Sequence, residues 1–274
     1  MRIREGRYMD TRIRVGVIGA AGKMGREIMK AVMKDDELEL VCAVDVSLLG
    51  TDCGELCEMN KCGVEISSDL DETIKEKKPD AMIDFTVAKA VSANAPIVLR
   101  NGVNLVIGTS GLSEEELNDF GELAKANDCG VFIASNFAIG AVLMMKFAAE
   151  AIKYMPYAEV IEMHHDHKKD APSGTAVQTL KKMAENRESF RQGAEDEFEK
   201  IEGSRGGEYE GMRVHSVRLP GYVAHQEVMF GGLGQILTIR HDSITRESFI
   251  PGIMLAVKKV GDIKGLLSGL ENIM

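Results

Sequence analysis

Residues 13–25 read IRVGVIGAAGKMG, and this stretch decides the fold of the N-terminal part of the chain. Its apolar residues predict a buried strand over residues 12–18, its glycines predict a tight turn, and residues 23–33 have the pattern of a helix. A second apolar run follows over residues 38–44 and ends at Asp45. A strand, a turn, a helix and a second strand within about 30 residues form the unit from which doubly wound sheets are built.

The alternation of strands and helices continues through the first half of the chain. Strands are predicted over residues 64–66, 81–84, 105–107 and 131–134. Helices are predicted over residues 70–77, 88–100 (with Pro96 inside) and 113–127, where Ser113 and Glu116 match a capping box. Because strands alternate with helices, the strands are expected to form a parallel sheet covered on both faces.

The pattern changes after Phe137. A helix over 139–154, a strand over 158–164 and a helix over 175–186 are predicted, followed by a charged, glycine-rich loop over 187–211. Three long strands follow over 212–219, 222–230 and 235–241, with short turns such as Gly231-Gly232, and they predict an open mixed or antiparallel sheet. A helix over 246–260 and a final helix near the C-terminus are expected to return to the first domain. The fold class is therefore α/β: a Rossmann-type parallel-sheet domain plus an α+β domain with an open mixed sheet.

Composition excludes several classes of protein. The 274 residues are 45% hydrophobic and 28% charged, which is ordinary for a globular protein. The net charge of −10 and the absence of a basic stripe argue against a nucleic-acid partner. No apolar run reaches about 18 residues, so no membrane span is predicted. The first ten residues lack the apolar core of a signal peptide and are predicted to be an extension, with Met9 as an alternative start.

Five cysteines are present, an odd number without a secretory signal, and this pattern favours a reducing, cytoplasmic compartment. Cys53, Cys57 and Cys62 have no fourth ligand at a standard spacing, so no metal site is predicted.

The glycine-rich turn is typical of dinucleotide binding. Gly19, Gly22 and Gly25 allow the backbone to approach a pyrophosphate, whose charge is stabilised at a helix N-terminus. Asp45 stands at the end of the next strand, where an acid binds the hydroxyls of the adenosine ribose. The acid favours NADH, because Val46 follows it instead of a basic residue. Lys23 and Arg26 remain alternative partners for a 2′-phosphate, and a turn without a ligand is the competing interpretation.

Two further segments, Asp84-Phe85-Thr86 and Gly108-Thr109-Ser110-Gly111, stand at predicted strand ends. Ligands of open α/β sheets bind beyond the carboxyl ends of the strands. Ordinary strand-to-helix turns are the alternative for both segments.

Residues 162–176 read EMHHDHKKDAPSGTA and carry the strongest chemical signal. Histidine donates a proton near neutral pH, lysine holds a carboxylate or acts as an acid, and the N–H groups of Gly174 and Thr175 at a helix N-terminus suit an anion. The segment predicts a pocket for a carboxylated substrate with an acid beside it. Metal binding by the histidines, which the adjacent lysines disfavour, and a solvated charged loop are the alternatives.

The segment 162–176 resembles the signature of the 4-hydroxy-tetrahydrodipicolinate reductase (dihydrodipicolinate reductase) family. The resemblance extends over nearly the whole chain, through VIGAAGKMG, DFT, GTSG, ASNFAIG, RLPGYVAHQEVMFG and RHDSITRESFIPG. It implies an NAD(P)H-dependent reductase that converts 4-hydroxy-tetrahydrodipicolinate to tetrahydrodipicolinate in lysine and diaminopimelate biosynthesis. Another two-domain NAD(P)-dependent dehydrogenase of amino-acid metabolism and a non-enzymatic dinucleotide sensor remain as alternatives.

The family resemblance also implies a domain organisation. A dinucleotide-binding domain would comprise residues 1–135 with 244–274, and a substrate-binding and oligomerisation domain would comprise residues 136–243. Residues 134–139 match the hinge, and the open sheet would build a homotetramer.

Finally, the resemblance implies roles for individual residues. His164 matches the general acid, and Lys168 or water is the alternative proton donor. His165, Lys168, Ser173, Gly174 and Thr175 match positions that hold the substrate carboxylates. The positions expected to contact the cofactor are Gly19, Gly22, Lys23, Met24, Gly25, Asp45, Phe85, Thr86, Gly108, Thr109, Ser135, Asn136 and Phe137. Some relatives carry arginine where this chain has Val46, which again favours NADH.

Overall fold

The computed structural model describes residues 12–274, which divide into two units. The first unit contains residues 12–135 together with Ile250–Met274, and the second contains Asn136–Phe249. The second unit ends at Phe249, a few residues after the boundary expected at residue 243, and within it Ser248 Oγ is hydrogen-bonded to Ser243 Oγ at 3.0 Å. The extension predicted over residues 1–10 lies outside the described residues.

The first unit is built on a parallel sheet of seven strands in the order β12-β6-β5-β4-β1-β2-β3. The strands are β1 (Ile13–Ile18), β2 (Leu38–Val44), β3 (Ile66–Ser67), β4 (Ala81–Asp84), β5 (Asn104–Ile107), β6 (Gly130–Ile133) and β12 (Gly265–Ser268). The helices are α1 (Lys23–Lys34), α2 (Cys53–Leu56), α3 (Leu70–Lys77), α4 (Ala88–Arg100), α5 (Glu114–Ala126) and α8 (Ile250–Lys259). The predicted Rossmann-type sheet is confirmed.

The strands of this sheet are apolar because both of their faces are covered. Helices α3, α4 and α5 join β1, β2, β4, β5 and β6 in one buried cluster that includes Leu70, Leu99 and Phe120. Helix α1 packs against α8 and buries Ile28 and Met29. The predicted capping box is present, since Ser113 Oγ accepts from Glu116 N–H and the Glu116 carboxylate accepts from Ser113 N–H.

The prediction of a final helix at the C-terminus is wrong. After α8 the chain forms a 3-10 turn over Val260–Asp262, then β12, then a second 3-10 turn over Leu270–Asn272. Strand β12 pairs in parallel with β6, from Gly265 opposite Gly130 to Ser268 opposite Ile133. Four residues are too few to show a period in the sequence, and the pairing partner lies far away along the chain.

The second unit is built on a mixed sheet of five strands in the order β11-β10-β7-β9-β8. The strands are β7 (Tyr157–His164), β8 (Gly207–Tyr209), β9 (Met212–Arg218), β10 (Ala224–Gly232) and β11 (Gln235–Ser243), and the helices are α6 (Ile139–Ala151) and α7 (Gly174–Ala184). Strands β7 and β9 are parallel and the other pairs are antiparallel, so the predicted mixed sheet is confirmed.

Two local predictions in the second unit are wrong. The charged segment 187–211 was expected to be a loop, but its end forms β8, which pairs with β9 across the two-residue turn Glu210-Gly211. Both turn residues have positive φ, +48° and +75°, as a type I′ hairpin turn requires. The expected turn at Gly231-Gly232 also lies elsewhere: both glycines belong to β10, and Leu233-Gly234 makes the turn.

Among residues 12–274, no helix is both long enough and apolar enough to cross a membrane.

The glycine turn before α1 yields a prediction for stability. A Cβ atom added at Gly25 would lie 2.1 Å from Gly19 O and 2.8 Å from Ala20 Cα. The substitution Gly25→Ala is therefore expected to lower the free energy of unfolding by about 1–3 kcal/mol, the usual cost of overpacking. Gly261→Ala is the matched control, because its Cβ would meet only Asn104 Nδ2, at 3.9 Å. Urea denaturation of both variants checks this, and equal stability would contradict the packing described.

Candidate functional site

The turn between β1 and α1 presents backbone N–H groups. Gly19 has a φ of +79°, and its N–H donates to Val44 O at 2.8 Å. Gly22 is the N-cap of α1 and has no side chain that could accept a hydrogen bond from the helix. The first N–H groups of α1 therefore point out of the helix without a side-chain partner at the cap, which suits a bound anion.

Asp45 is placed beside this turn. Its Oδ2 accepts from Ala21 N–H at 2.9 Å, and its Oδ1 accepts from Ser47 N–H at 3.0 Å and from Ser47 Oγ at 2.9 Å. Arg26 Nε donates to Ala21 O at 3.1 Å. The structure thus brings the acid and the glycine turn together, and it shows that the acid also holds the turn in place. Val46 is 94% exposed.

The ends of β4 and β5 form a second part of the same sheet edge. The buried Asp84 carboxylate accepts from Thr86 N–H at 2.9 Å and from Asn94 Nδ2 at 2.9 Å, while burial raises its pKa. The Phe85 ring lies against Gly108, where an added Cβ would be 2.0 Å from Phe85 Cζ. Thr109 Oγ1 donates to Thr86 O at 3.1 Å, so all four predicted residues of these segments are adjacent.

The remaining positions expected near the cofactor follow β6. Ser135 is exposed and is the last residue of the first unit before the chain enters the second. Asn136 and Phe137 belong to the second unit, where Phe137 is buried. The hinge expected over residues 134–139 stays a prediction.

In the second unit, polar side chains form two rows across one face of the sheet. Strand register places Ser216, Glu162, Gln226 and His241 side by side in one row, and Arg218, His164, Ala224 and Ser243 in the next. The following row, Val214, Val160 and Val228, is buried and apolar. Because residues two apart share a face of a strand, the polar rows concentrate at the carboxyl end of β7.

A buried carboxylate, Glu162, lies at the centre of these rows, and its side chain is fully buried. Its Oε1 accepts from Arg218 Nη2 at 2.7 Å and from Ser173 N–H at 3.1 Å, and its Oε2 accepts from Arg218 Nη1 at 2.8 Å. His164 Nδ1 lies 2.5 Å from Oε2. Burial acts to raise the pKa of Glu162, but the hydrogen bonds from His164, Arg218 and Ser216 outweigh it and lower the pKa to about 2.

This arrangement sets the tautomer of His164. An ionised carboxylate can only accept hydrogen bonds, so Nδ1 of His164 must carry the proton that Glu162 binds. The other ring nitrogen, Nε2, is then left for chemistry. Sequence reasoning found His164 but missed the roles of Glu162 and Arg218.

The loop and helix after β7 contain the other predicted substrate residues. Ser173 caps α7, since its Oγ accepts from Ala176 N–H at 3.2 Å. Thr175 Oγ1 accepts from Asn136 Nδ2 at 3.1 Å. Lys168 Nζ is 2.8 Å from Asp170 Oδ1, and this ion pair lowers the pKa of Asp170. His165 is exposed on the same loop.

A cavity of about 40 Å³ adjoins these residues within the second unit. Among the predicted substrate residues, His164, Ser173 and Thr175 line it. Gln226, His241 and Ser243 also line it and were missed. A signal existed: Gln226 alternates with Val228 and Phe230 on a buried strand face, where a polar side chain is unusual.

Cysteines and histidines are the side chains for which the sequence raised the alternative of a metal site. All five cysteines have free thiols, and only Cys62 is exposed. Among residues 12–274, no three His, Cys, Asp or Glu side chains are grouped as metal ligands.

Two family models cover almost all of the chain. Residues 13–137 match the N-terminal part of dihydrodipicolinate reductase, and residues 140–274 match its C-terminal part. The chain belongs to the dihydrodipicolinate reductase family. The resemblance seen in the sequence is thereby confirmed.

Individual relatives agree with this assignment. The chain is 51% identical over 264 residues to a 4-hydroxy-tetrahydrodipicolinate reductase of Desulfitobacterium hafniense, covering 96% of this chain and 99% of the relative. It is 50% identical over 262 residues to one of Listeria innocua, covering 96% and 100%. The solved structure of dipicolinate-bound dihydrodipicolinate reductase from Paenisporosarcina sp. TG-14 is similar, with a TM-score of 0.86, 45% identity, and coverage of 96% of this chain and 100% of that one.

The Glu162 network predicts how stability depends on pH. The pKa of Glu162 is about 2 in the folded chain against an ordinary 4.5, so its ionised form contributes about 3 kcal/mol above pH 4.5, and this is lost as the pH falls towards 2. Glu162→Gln also leaves Arg218 without its partner, so the variant should be about 3–5 kcal/mol less stable at pH 7. The deficit should shrink as the pH falls from 4.5 towards 2, because the carboxyl of the unfolded native sequence takes up a proton while the folded carboxyl is still ionised.

Urea denaturation between pH 7 and pH 3 measures this. Glu195→Gln, an exposed site in the same unit, is the control and should leave the pH profile unchanged. A deficit for Glu162→Gln that stays constant with pH would argue against an ionised Glu162.

Proposed function

We propose that this chain catalyses the NAD(P)H-dependent reduction of 4-hydroxy-tetrahydrodipicolinate to tetrahydrodipicolinate, with loss of the 4-hydroxyl as water, in lysine and diaminopimelate biosynthesis. The observation that carries the proposal is the fixed His164, bound to Glu162, beside the N-terminus of α7 in a chain that matches both halves of the family. A relative with 45% identity has been solved with dipicolinate, a cyclic dicarboxylate of the same class as this substrate.

The substrate carboxylates are assigned to the loop and helix after β7. Lys168 supplies positive charge, and His165 supplies a hydrogen-bond donor. The N–H groups of Gly174 and Thr175 begin a helix of 11 residues whose dipole favours an anion. Ser173 sets the start of that helix through its cap. The two carboxylates of the substrate ring are therefore complementary to the positive charge and N–H donors at this end of the second unit.

His164 is assigned the proton transfer. Nδ1 is bound to Glu162, so the imidazolium form of His164 delivers the proton carried by Nε2 to the reduced substrate and leaves a neutral ring with its proton on Nδ1. Lys168 holds its Nζ against Asp170, which suits the binding of a carboxylate better than the release of a proton. Water remains the competing source.

The cofactor is assigned to the first unit, and when bound it supplies the hydride. Gly19 and Gly22 leave room for a pyrophosphate at α1, and Gly25 lets the turn pack closely on the start of that helix, with Lys23 and Met24 in its first turn. Asp45 accepts the ribose hydroxyls, because each carboxylate oxygen can accept more than one hydrogen bond. Phe85, Thr86, Gly108, Thr109, Ser135, Asn136 and Phe137 follow the carboxyl ends of β4, β5 and β6, where ligands of such sheets bind.

NADH is proposed as the preferred cofactor. Asp45 suits the two free hydroxyls of NADH and repels a 2′-phosphate, and Val46 offers no positive charge to offset that repulsion. Arg26 is engaged with the turn through Nε.

A cytoplasmic homotetramer completes the proposal. Among the described residues, strand β11 is at the edge of the open sheet, with Ile236 79% exposed, so its outer edge is available for another copy. The free cysteines suit a reducing compartment.

The reaction itself can be tested by following the absorbance of NADH in the presence of freshly generated 4-hydroxy-tetrahydrodipicolinate. The wild type should oxidise NADH rapidly, and His164→Gln should lose about 10²–10⁴-fold in kcat because the positioned acid is removed. Lys168→Ala should mainly raise KM. The exposed neighbours provide matched controls, His167→Gln and Lys169→Ala, which should behave like the wild type.

If the wild type oxidised neither NADH nor NADPH while still binding a dinucleotide, the proposal would fail, and another dehydrogenase or a sensor would be favoured. Full activity of His164→Gln would instead move the proton transfer to Lys168 or water.

Cofactor preference is tested at position 46. The wild type is expected to have the higher kcat/KM with NADH. Val46→Arg should raise kcat/KM with NADPH roughly tenfold, because a charge-assisted bond to phosphate contributes about 1.5 kcal/mol. Val46→Gln is the uncharged control and should not produce this gain. A strong preference of the wild type for NADPH would contradict the assignment.

A further inference from the structure

Gln226 is a buried polar residue that has no role in the proposed reaction. It is 4% exposed and stands on β10 between Glu162 on β7 and His241 on β11. Its Nε2 donates to Thr179 Oγ1 at 2.7 Å. Its Oε1 has no hydrogen-bond partner among the described residues.

The orientation of this amide is fixed by its neighbour. Thr179 Oγ1 donates its only proton to Thr175 O at 2.8 Å. It can therefore only accept from Gln226, which places Nε2 on the side of Thr179 and leaves Oε1 on the other. A buried amide oxygen without a hydrogen-bond donor is unfavourable. A ligand that supplies the donor would therefore gain binding free energy.

The cavity lined by Gln226 limits what that ligand group can be. The cavity has a volume of about 40 Å³, and His164, His241 and Ser243 also line it. One water needs roughly 10–15 Å³ of such space, so the cavity takes about three or four water-sized groups and not a whole cyclic dicarboxylate. A single substituent of a ring that is held outside the cavity would fit.

The charges around Gln226 favour a neutral group. Burial lowers the pKa of His241, whose ring packs so closely on Gly140 that an added Cβ there would lie 2.6 Å from Cδ2. His225 Nε2 accepts from Val223 N–H, so its proton is on Nδ1, which donates to Asp242 Oδ1 at 2.6 Å. The full charge on the same row, the Glu162 carboxylate, is already paired with Arg218, so this row offers no free cation to a carboxylate.

We propose that Gln226 Oε1 accepts a hydrogen bond from the 4-hydroxyl of the substrate, which enters this cavity while the carboxylates stay on Lys168 and the start of α7. The inference rests on the proposed function and adds a specificity-determining residue to it. Gln226 distinguishes the hydroxylated substrate from a dicarboxylate without a hydroxyl. The hydroxyl then also lies beside His164, which lines the same cavity.

The test compares ligands with and without the hydroxyl. Gln226→Met keeps the length of the side chain and removes the acceptor. It should lower kcat/KM for 4-hydroxy-tetrahydrodipicolinate by roughly 5- to 150-fold, the factor for a buried hydroxyl left unpaired. The Kd of dipicolinate, measured by calorimetry in the presence of NADH, should change by less than about twofold, because dipicolinate has no hydroxyl. Glu195→Met, at an exposed site of the same unit, is the control.

A second measurement needs only the wild type and so does not depend on the folding of the variant. Wild-type protein should bind 4-hydroxypiperidine-2,6-dicarboxylate more tightly than piperidine-2,6-dicarboxylate, by at least roughly fivefold. Equal affinities would overturn the proposal. So would a Gln226→Met variant in which kcat/KM for the substrate and affinity for dipicolinate fall by the same factor, or in which neither falls. Turnover by the wild type reports separately on the reaction, so the failure of the subsite and the failure of the proposed function are distinguishable.

Discussion

The second unit depends on one buried carboxylate. Glu162 sits on the central strand of the five-stranded sheet and binds Arg218 on β9, His164 on its own strand and the backbone of Ser173 before α7. A buried charge is tolerated only when it is paired and its oxygens are satisfied, and here both oxygens have two partners. The same hydrogen bonds that satisfy the buried charge also fix the start of α7 and the ring of His164. Glu162 therefore determines both the local structure and the position of the proposed proton donor.

The first unit accommodates its polar groups in a different way. Its sheet is covered on both faces, so polar groups are confined to the strand ends, where the glycine turn, Asp45 and the Phe85–Gly108 contact lie on one edge. The turn needs glycine because its backbone passes within van der Waals contact of itself, and the resulting free N–H groups suit an anion. The binding features of the two units are thus different in kind: backbone groups in the first, and a buried charge with its partners in the second.

How much the sequence could predict follows from how local each feature is. The parallel strands were predicted because burial on both faces gives continuous apolar runs, and Asp45 was predicted because the repeating unit fixes its place. Strand β12 was missed because its partner β6 lies far away in sequence, and the β8–β9 hairpin was hidden by charged residues. The pairing of Glu162 with Arg218 spans 56 positions and no local pattern reports it. Gln226 lies in the segment RLPGYVAHQEVMFG, which resembles the family, but only the register of β7, β10 and β11 shows which residues are its neighbours.

The central claim is that Glu162 holds His164 with its proton on Nδ1, so that Nε2 faces the substrate. The most direct measurement is a long-range ¹⁵N–¹H spectrum of histidine-labelled protein at neutral pH, with the His164 ring assigned by its loss in His164→Gln. A protonated Nδ1 on this ring, lost or shared with Nε2 in Glu162→Gln, is the predicted result. A ring protonated on Nε2 alone in the wild type would contradict the account.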